Sequence, residues 1–227
     1  MVVGGLPNPA ATGRPTSPAC ELFLDLAGVG IALSTSCSAT AAGLRRRFGG
    51  FTGQSHDARL SVEAFDDSRD LPPPPGIDGH GEPTRIDGDG YAAAIDWSAR
   101  RARVAGPAAP DGVEAVMRLA LPHVLHAGLR VPGAVLSDGT RSFLCVGPSG
   151  SGKSTLAQLV PDRALGDELA IVRHAADSWI AGSFPTASSR PGSLPLARIF
   201  FLRHAPSHER RRLPAARAAG RLAEQSH

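Results

Sequence analysis

The sequence of 227 residues contains almost no lysine. Of its 24 basic residues, 23 are arginine, and the remaining one is Lys153. A coding bias toward arginine explains the arginines but not this exception. Lysine places a compact charge on a flexible stem, whereas arginine presents a wide planar fork. We therefore expect Lys153 to occupy a site that is too narrow for arginine, such as a cradle for phosphate groups.

Cysteines and long apolar runs are also scarce. The three cysteines, Cys20, Cys37 and Cys145, form no CxxC pair and are odd in number, which argues against a disulfide framework. The longest apolar stretch, residues 22–33, contains Asp25 and is shorter than the about 20 residues of a spanning helix. The N-terminus lacks the basic and apolar regions of a secretory signal. We expect a cytoplasmic protein without a membrane partner.

Aromatic residues make up only 5% of the chain. The formal net charge of +3 and the isoelectric point near 9.1 are compatible with nucleic-acid binding. However, the two densest basic runs, residues 45–47 and 210–212, are far apart and adjoin predicted helices. Few aromatic side chains are present to stack on bases. We therefore predict that nucleic acid is not the partner.

Residues 1–19, rich in proline, glycine, alanine and threonine, are predicted to form a flexible leader. Residues 20–106 are predicted to form a small, mostly β N-terminal subdomain. Its predicted strands are 22–26, 29–33, 60–65, 91–97 and 101–104, with a short helix ending at Phe48. Residues 71–90 include four consecutive prolines, 72–75, and five glycines and are predicted to be a long surface loop. A calcium loop there is disfavoured because Tyr91 stands where an acid or amide is required.

Residues 107–227 are predicted to form a second, α/β domain. Apolar residues recur at helical spacing over 113–125, with Asp111 as the predicted cap and Pro122 as a kink or end. Further predicted elements are strands at 128–136, 142–146 and 169–172, an apolar run at 194–202 and a helix at 214–224. An Asp-Gly turn signal separates the first two strands.

The predicted strand 142–146 leads directly into Gly-Pro-Ser-Gly-Ser-Gly-Lys-Ser-Thr at 147–155. This is a complete GxxxxGK[ST] motif between a strand and a helix, which is typical of a phosphate-binding loop. Lys153 would reach the β and γ phosphates, and the Ser154 hydroxyl would bind Mg²⁺. ATP and Mg²⁺ are the predicted cofactors. The predicted nucleotide-binding residues are Gly147, Ser149, Gly150, Ser151, Gly152, Lys153, Ser154 and Thr155.

Two further features are candidates for chemistry. Asp167 and Glu168 precede a short apolar strand, where one carboxylate could hold a metal ion while the other takes a proton. Adjacent acids before a strand are also common on protein surfaces. His126 follows the predicted helix 113–125, and a single histidine in such a place is more often structural than catalytic.

The order Leu125-His126-Ala127, hairpin, phosphate loop and Gly166-Asp167-Glu168 resembles the HPr kinase/phosphorylase family. It is more similar to the family's short relatives in bacterial peptide-modification gene clusters, and it covers about residues 110–205. The resemblance implies an α/β fold with an HPr kinase/phosphoenolpyruvate carboxykinase-like P-loop core, built on a mixed, strongly curved sheet. It implies Lys153 as the loop lysine, Ser154 and Glu168 at the metal, Asp167 as general base and His126 near the transferred phosphate.

Two details of the chain depart from that family. Residues 179–185 are similar to the relatives' Gly-Thr-Pro-Phe turn, but proline and phenylalanine stand in the opposite order. The arginine-glycine signature with which HPr kinases engage HPr is missing, so HPr is not the expected acceptor.

The leading functional hypothesis is an ATP-dependent serine kinase-like phosphotransferase that acts on a peptide or small protein. One alternative is an ATPase without an acceptor. The other is a catalytically weak, nucleotide-binding regulatory protein. The sequence leaves the acceptor and homo-oligomerisation open.

Overall fold

The computed structural model describes residues 20–53, 58–66, 84–207 and 209–225. Over these residues the chain is a mixed α/β protein with two six-stranded mixed sheets and four α-helices. None of the described helices combines the length and the apolar character needed to cross a bilayer. The predicted leader, 1–19, and residues 71–83 of the predicted loop lie outside the described residues.

The first sheet has the strand order β1-β2-β3-β6-β5-β4. Its strands are β1 (Cys20–Asp25), β2 (Gly30–Thr35), β3 (Ala58–Phe65), β4 (Thr84–Gly88), β5 (Tyr91–Asp96) and β6 (Arg101–Ala105). The pairs β2–β3 and β3–β6 are parallel, and the others are antiparallel. Helix α1 (Ser38–Phe48), followed by a 3-10 turn (Gly49–Phe51), connects the parallel strands β2 and β3, as a parallel pair requires.

The second sheet consists of β7 (Gly128–Ser137), β8 (Ser142–Val146), β9 (Ala164–Gly166), β10 (Leu169–Ala175), β11 (Ser178–Ser183) and β12 (Ser193–Phe201). Strand β8 is parallel to β12 and antiparallel to β7. Strand β7 pairs with β10 through its first half and with β8 through its second half. The pairings β7-β8-β12-β11-β10-β7 therefore close into a ring, which requires a strongly curved sheet. This agrees with the expected mixed sheet.

Helix α2 (Ala109–Val124) lies between the two sheets. Its buried residues Val113, Val116 and Met117 join the core of the first sheet, and the same core includes Leu169 of β10 and Phe184, which follows β11. Short helix α3 (Lys153–Leu159) follows β8, and α4 (Ala215–Gln225) contacts β7. The two sheets thus share this apolar core through α2, while a second cluster, which includes Val131 and Val135, belongs to the second sheet. The predicted boundary at residue 106 stays a prediction.

Helix α2 begins four residues before the predicted start at Val113, and its end at Val124 agrees with the prediction to one residue. It begins at Ala109 with Ala108 as its cap, so the prediction that Asp111 caps it was wrong, and Asp111 lies in the first turn. Pro122 lies inside the helix, which ends two residues later. Because proline has no N–H, the Arg118 carbonyl loses its helical donor. The Arg130 guanidinium donates to that carbonyl instead.

Three strands were not predicted. Strand β4 occupies the end of the predicted loop 71–90 and forms a hairpin with β5. Strand β11 covers most of the predicted turn 179–185, and β9 is only three residues long. Each is stabilised by pairing with a neighbouring strand, a tertiary effect that overrides weak local preference.

Candidate functional site

The glycine loop, residues 147–152, connects β8 to α3, so strand, loop and helix follow in the predicted order. Gly150 and Gly152 have φ values of +77° and +95°, a conformation that favours glycine. A Cβ atom on Gly147 would lie 2.6 Å from the Ser151 Oγ and 2.8 Å from the Leu202 carbonyl oxygen. The tight turn therefore depends on glycine at all three positions.

Lys153 reaches back into the glycine loop from the first residue of α3. Its Nζ donates to the Gly147 carbonyl at 2.7 Å and to the Pro148 carbonyl at 2.9 Å. An ammonium group has three donors, so one remains for a further acceptor. The lone lysine of the sequence thus turns its charge back onto the loop that precedes it.

Ser151, in the same loop, is buried, and its Oγ is one of two side-chain atoms in the described chain that are buried without a hydrogen-bond partner. A buried unpaired hydroxyl costs about 1–3 kcal/mol, so a polar group that supplied a partner would recover this free energy. Pro148, Ser149, Ser154 and Thr155 are exposed and accessible to a ligand.

The predicted acids lie beside the glycine loop. Asp167 and Glu168 connect β9 to β10. Gly133 of β7 is the register partner of Val146, the last residue of β8, and its N–H donates to the Glu168 carbonyl at 3.1 Å. Neighbouring strands lie about 5 Å apart, so Val146 and Glu168, on the two sides of β7, are separated by about 10 Å. The start of the loop and the acid pair therefore flank the same point of β7 on opposite sides.

The two carboxylates have different partners. The Asp167 Oδ1 accepts a 3.1 Å hydrogen bond from the Ser188 Oγ, and within the described residues Asp167 has no ion pair. The Glu168 Oε1 accepts a 2.7 Å hydrogen bond from the Arg118 Nη2 of α2. Arg118 also donates to Glu114, at 2.8 and 2.9 Å. Glu168 is therefore tied to α2, whereas Asp167 is reached by a serine hydroxyl.

Arg118 connects the acid pair to the shared core. Its partial burial lowers the guanidinium pKa, but the hydrogen bonds that it donates to Glu114 and Glu168 outweigh this effect and raise the pKa. The guanidinium also lies 5.3 Å from the centroid of the Phe184 ring, within the range of a cation–π contact. These contacts hold Arg118 charged and fixed against Glu168.

His126 is exposed just before β7, and within the described residues its side chain makes no hydrogen bond or ion pair. The neighbouring Ala127 carbonyl accepts a hydrogen bond from the His174 N–H at 2.9 Å. His174 lies six residues beyond Glu168 along β10, about 20 Å in an extended strand. The structure thus brings the loop and the acids together, but it does not bring His126 to the acids.

The segment after β12 lies along the glycine loop, which the sequence did not indicate. The Leu202 N–H donates to the Val146 carbonyl at 2.7 Å, and the His204 Nε2 lies 2.5 Å from the Gly150 carbonyl oxygen. Arg118 and Ser188 were also missed. A helical spacing of four residues could have predicted the Arg118–Glu114 pair, but no local pattern predicts the contacts of Arg118 or Ser188 with the acids.

In the part of the chain that the structure describes, no group of three or more His, Cys, Asp or Glu side chains is arranged to hold a metal ion. The predicted metal site consists only of the Ser154 hydroxyl and the Glu168 carboxylate. Magnesium commonly binds one or two protein groups together with phosphates and water. The assignment of these two ligands stays a prediction.

No protein-family model matches the chain, and no curated protein matches it significantly. The resemblance to HPr kinases stays a prediction from the order of the motifs around residues 126, 147–155 and 166–168.

Proposed function

We propose that the protein binds ATP and Mg²⁺ at the glycine loop and transfers the γ-phosphoryl group to a serine hydroxyl of a peptide or small protein. The observation that carries this proposal is that Gly133 of β7 lies between Val146, which leads into the glycine loop, and Glu168, the neighbour of Asp167. An HPr kinase-like P-loop core and a cytoplasmic location belong to the same proposal.

The residues of the loop fit a polyphosphate. The Lys153 ammonium contacts the Gly147 and Pro148 carbonyls of the loop, and the Ser151 hydroxyl is buried without a partner. Lys153 would exchange one or both loop carbonyls for phosphate oxygens, and Ser151 would gain an acceptor. Backbone N–H groups of the loop would bind further phosphate oxygens. Bound ATP with its metal ion would supply a transferable phosphoryl group whose charge is partly neutralised.

Magnesium would be held by the Ser154 hydroxyl, which is exposed in the first turn of α3. The Glu168 Oε1 is engaged by Arg118, so a metal contact would have to use the other carboxylate oxygen. Arg118 would then orient that oxygen by fixing the rest of the side chain. This gives Glu168 a positioning role along with its predicted metal role.

Asp167 is the better candidate for general base. Its carboxylate already accepts a hydrogen bond from a serine hydroxyl, that of Ser188, so an acceptor serine could occupy a comparable position. As that oxygen attacks the γ-phosphorus atom, Asp167 would accept its proton, and ADP would leave. A positioned base of this kind contributes about 10²- to 10⁴-fold to the rate.

The proposal is tested by incubating the full-length protein with ATP, Mg²⁺ and serine-containing peptides encoded near its gene. Mass spectrometry should show a gain of about 80 Da, one phosphoryl group, on a serine of one peptide. Lys153→Ala protein is the matched control and should leave the peptide unmodified. Phosphate release at the same rate with and without every peptide would favour the ATPase alternative. Binding of ATP without any turnover would favour the regulatory alternative.

A further inference from the structure

An arginine-rich cavity adjoins the glycine loop. It has a volume of about 1080 Å³ and lies between the end of β12, the segment that follows it, and α4. Apolar side chains, among them Ile199, Phe201 and Leu213, also line it. Its basic residues are Arg198, Arg203, Arg210, Arg211, Arg212, Arg217 and Arg221.

The charge of this arginine cavity is largely uncompensated. Among its described residues, Glu209 is the one acid, so seven arginines leave an excess of six positive charges. Glu209 pairs with Arg203 and Arg211, and no described carboxylate pairs with the other five arginines. Around the first sheet, by contrast, Arg47 and Arg103 have carboxylate partners. Like charges gathered around a cavity favour the entry of an anion.

The cavity is linked directly to the proposed phosphate site. Leu202 and His204 line it. Leu202 contacts the Val146 carbonyl at the end of β8, and His204 contacts the Gly150 carbonyl of the glycine loop. A chain bound in the cavity would therefore begin next to the loop. Accordingly, this surface is well placed to hold the part of an acceptor that flanks the reacting hydroxyl.

Helix α4 forms one wall and is held against the second sheet. Its Leu222 packs on the core that includes Val131 and Val135 of β7. Arg217 and Arg221 are four residues apart and so share one face of the helix, and both line the cavity. Their exposed guanidinium groups are thus presented on a fixed element.

We infer that the arginine cavity binds an acidic segment of the acceptor peptide. The inference rests on the proposed phosphoryl transfer to a peptide hydroxyl. Guanidinium groups bind carboxylates through two parallel hydrogen bonds, and the half-buried Ile199 and Phe201 would contact apolar side chains of the same peptide. The cavity is less suited to stacking on nucleobases, since the Phe200 ring is already paired with Phe143 at 6.4 Å between centroids.

The inference is tested by fluorescence anisotropy without nucleotide, using the full-length protein. The probe is a short labelled peptide in which glutamates flank a single serine, and its control replaces every glutamate with glutamine. We expect the glutamate peptide to bind about tenfold more tightly. Arg217→Gln/Arg221→Gln protein should bind it about five- to tenfold more weakly. Arg198→Gln, on β12, should weaken binding independently of any change in α4.

The control protein is Arg46→Gln/Arg100→Gln, which removes the same charge from exposed residues outside the cavity and should bind the peptide unchanged. Equal affinity for the two peptides, or unchanged binding by the cavity variants, would overturn the inference. Tighter binding of a single-stranded oligonucleotide of equal charge would also overturn it, in favour of nucleic acid.

Failure of the inference and failure of the proposed function give different results. If the protein phosphorylates the glutamate and glutamine peptides with the same KM, the transfer activity stands and the cavity inference fails. If the glutamate peptide binds the cavity but receives no phosphate, the cavity inference is supported and the proposed transfer is wrong.

Discussion

The two sheets differ in what their polar side chains contact. Around the first sheet and α2, Arg47 is paired with Glu114, and Arg103 with Glu63. In the second region Lys153 and Arg190 donate to backbone carbonyls, and Ser151 is buried without a partner. In the first region carboxylates thus compensate the charges of Arg47 and Arg103, although the Arg47 Nε is buried without a partner, whereas in the second region five arginines of the cavity have no carboxylate partner among the described residues. This difference associates stability with the first region and ligand binding with the second.

The largest expected effect concerns Asp167 in the second region. Asp167→Asn should lower the rate of phosphoryl transfer by about 10²- to 10⁴-fold, because the amide cannot accept the proton of the attacking hydroxyl. Affinity for ATP, measured by calorimetry, should change little. Glu168→Gln is the comparison variant and should be less damaging. If Glu168→Gln abolished transfer while Asp167→Asn left it intact, the two roles would be exchanged.

Met117 tests the stabilising role of the first region. It is fully buried in α2, so Met117→Ala should lower the free energy of unfolding by about 2–5 kcal/mol, measured by urea denaturation. The ATP affinity of the folded variant should be unchanged. Leu119→Ala, at a 40% exposed position of the same helix, is the control and should cost about 1 kcal/mol or less. Equal losses from both variants would contradict the proposed division of roles.

Substitution of Lys153 tests whether the second region serves ligand binding rather than stability. Lys153→Ala should weaken ATP binding about 100-fold, because it removes a charge-assisted contact to phosphate. The melting temperature of the nucleotide-free protein should change little, since among the described residues the ammonium bonds to two loop carbonyls and to no carboxylate. Lys153→Arg should also bind poorly if the loop is too narrow for a guanidinium. Undiminished ATP affinity in Lys153→Ala, measured by calorimetry, would remove the basis of the proposed function.

The last prediction compares the urea concentrations at which the two sheets unfold, for which we expect no difference. Cys20 in β1 and Cys145 in β8 are both buried, and burial raises the pKa of Cys145 to about 11. Because the thiolate is the reactive form, Cys145 should resist iodoacetamide at pH 8, while the half-buried Cys37 reacts first. The shared core at α2 predicts that both buried thiols become reactive at the same urea concentration. Reaction of Cys145 well before Cys20 would show that the second sheet opens separately.

Much of the second sheet could be predicted from local sequence. Strands β7 and β8 are confirmed almost to the residue, because apolar runs and an Asp-Gly turn leave few alternatives. Strand β4 could not be predicted, since its exposed residues are stabilised mainly by pairing with β5. The start of α2 was placed too late because its first turn, which contains Pro110 and Gly112, lacks the usual apolar spacing.

The sequence by itself determined the strand, glycine loop and helix around Lys153, because glycine spacing and backbone conformation act over a few neighbouring residues. Only the tertiary structure decided which groups meet there. Arg118 contacts Glu168 across 50 residues of chain because α2 lies between the two sheets. Likewise, the arginines of β12 and α4 surround one cavity because the chain after β12 follows the glycine loop. Such contacts depend on long-range packing, which no local pattern of residues encodes.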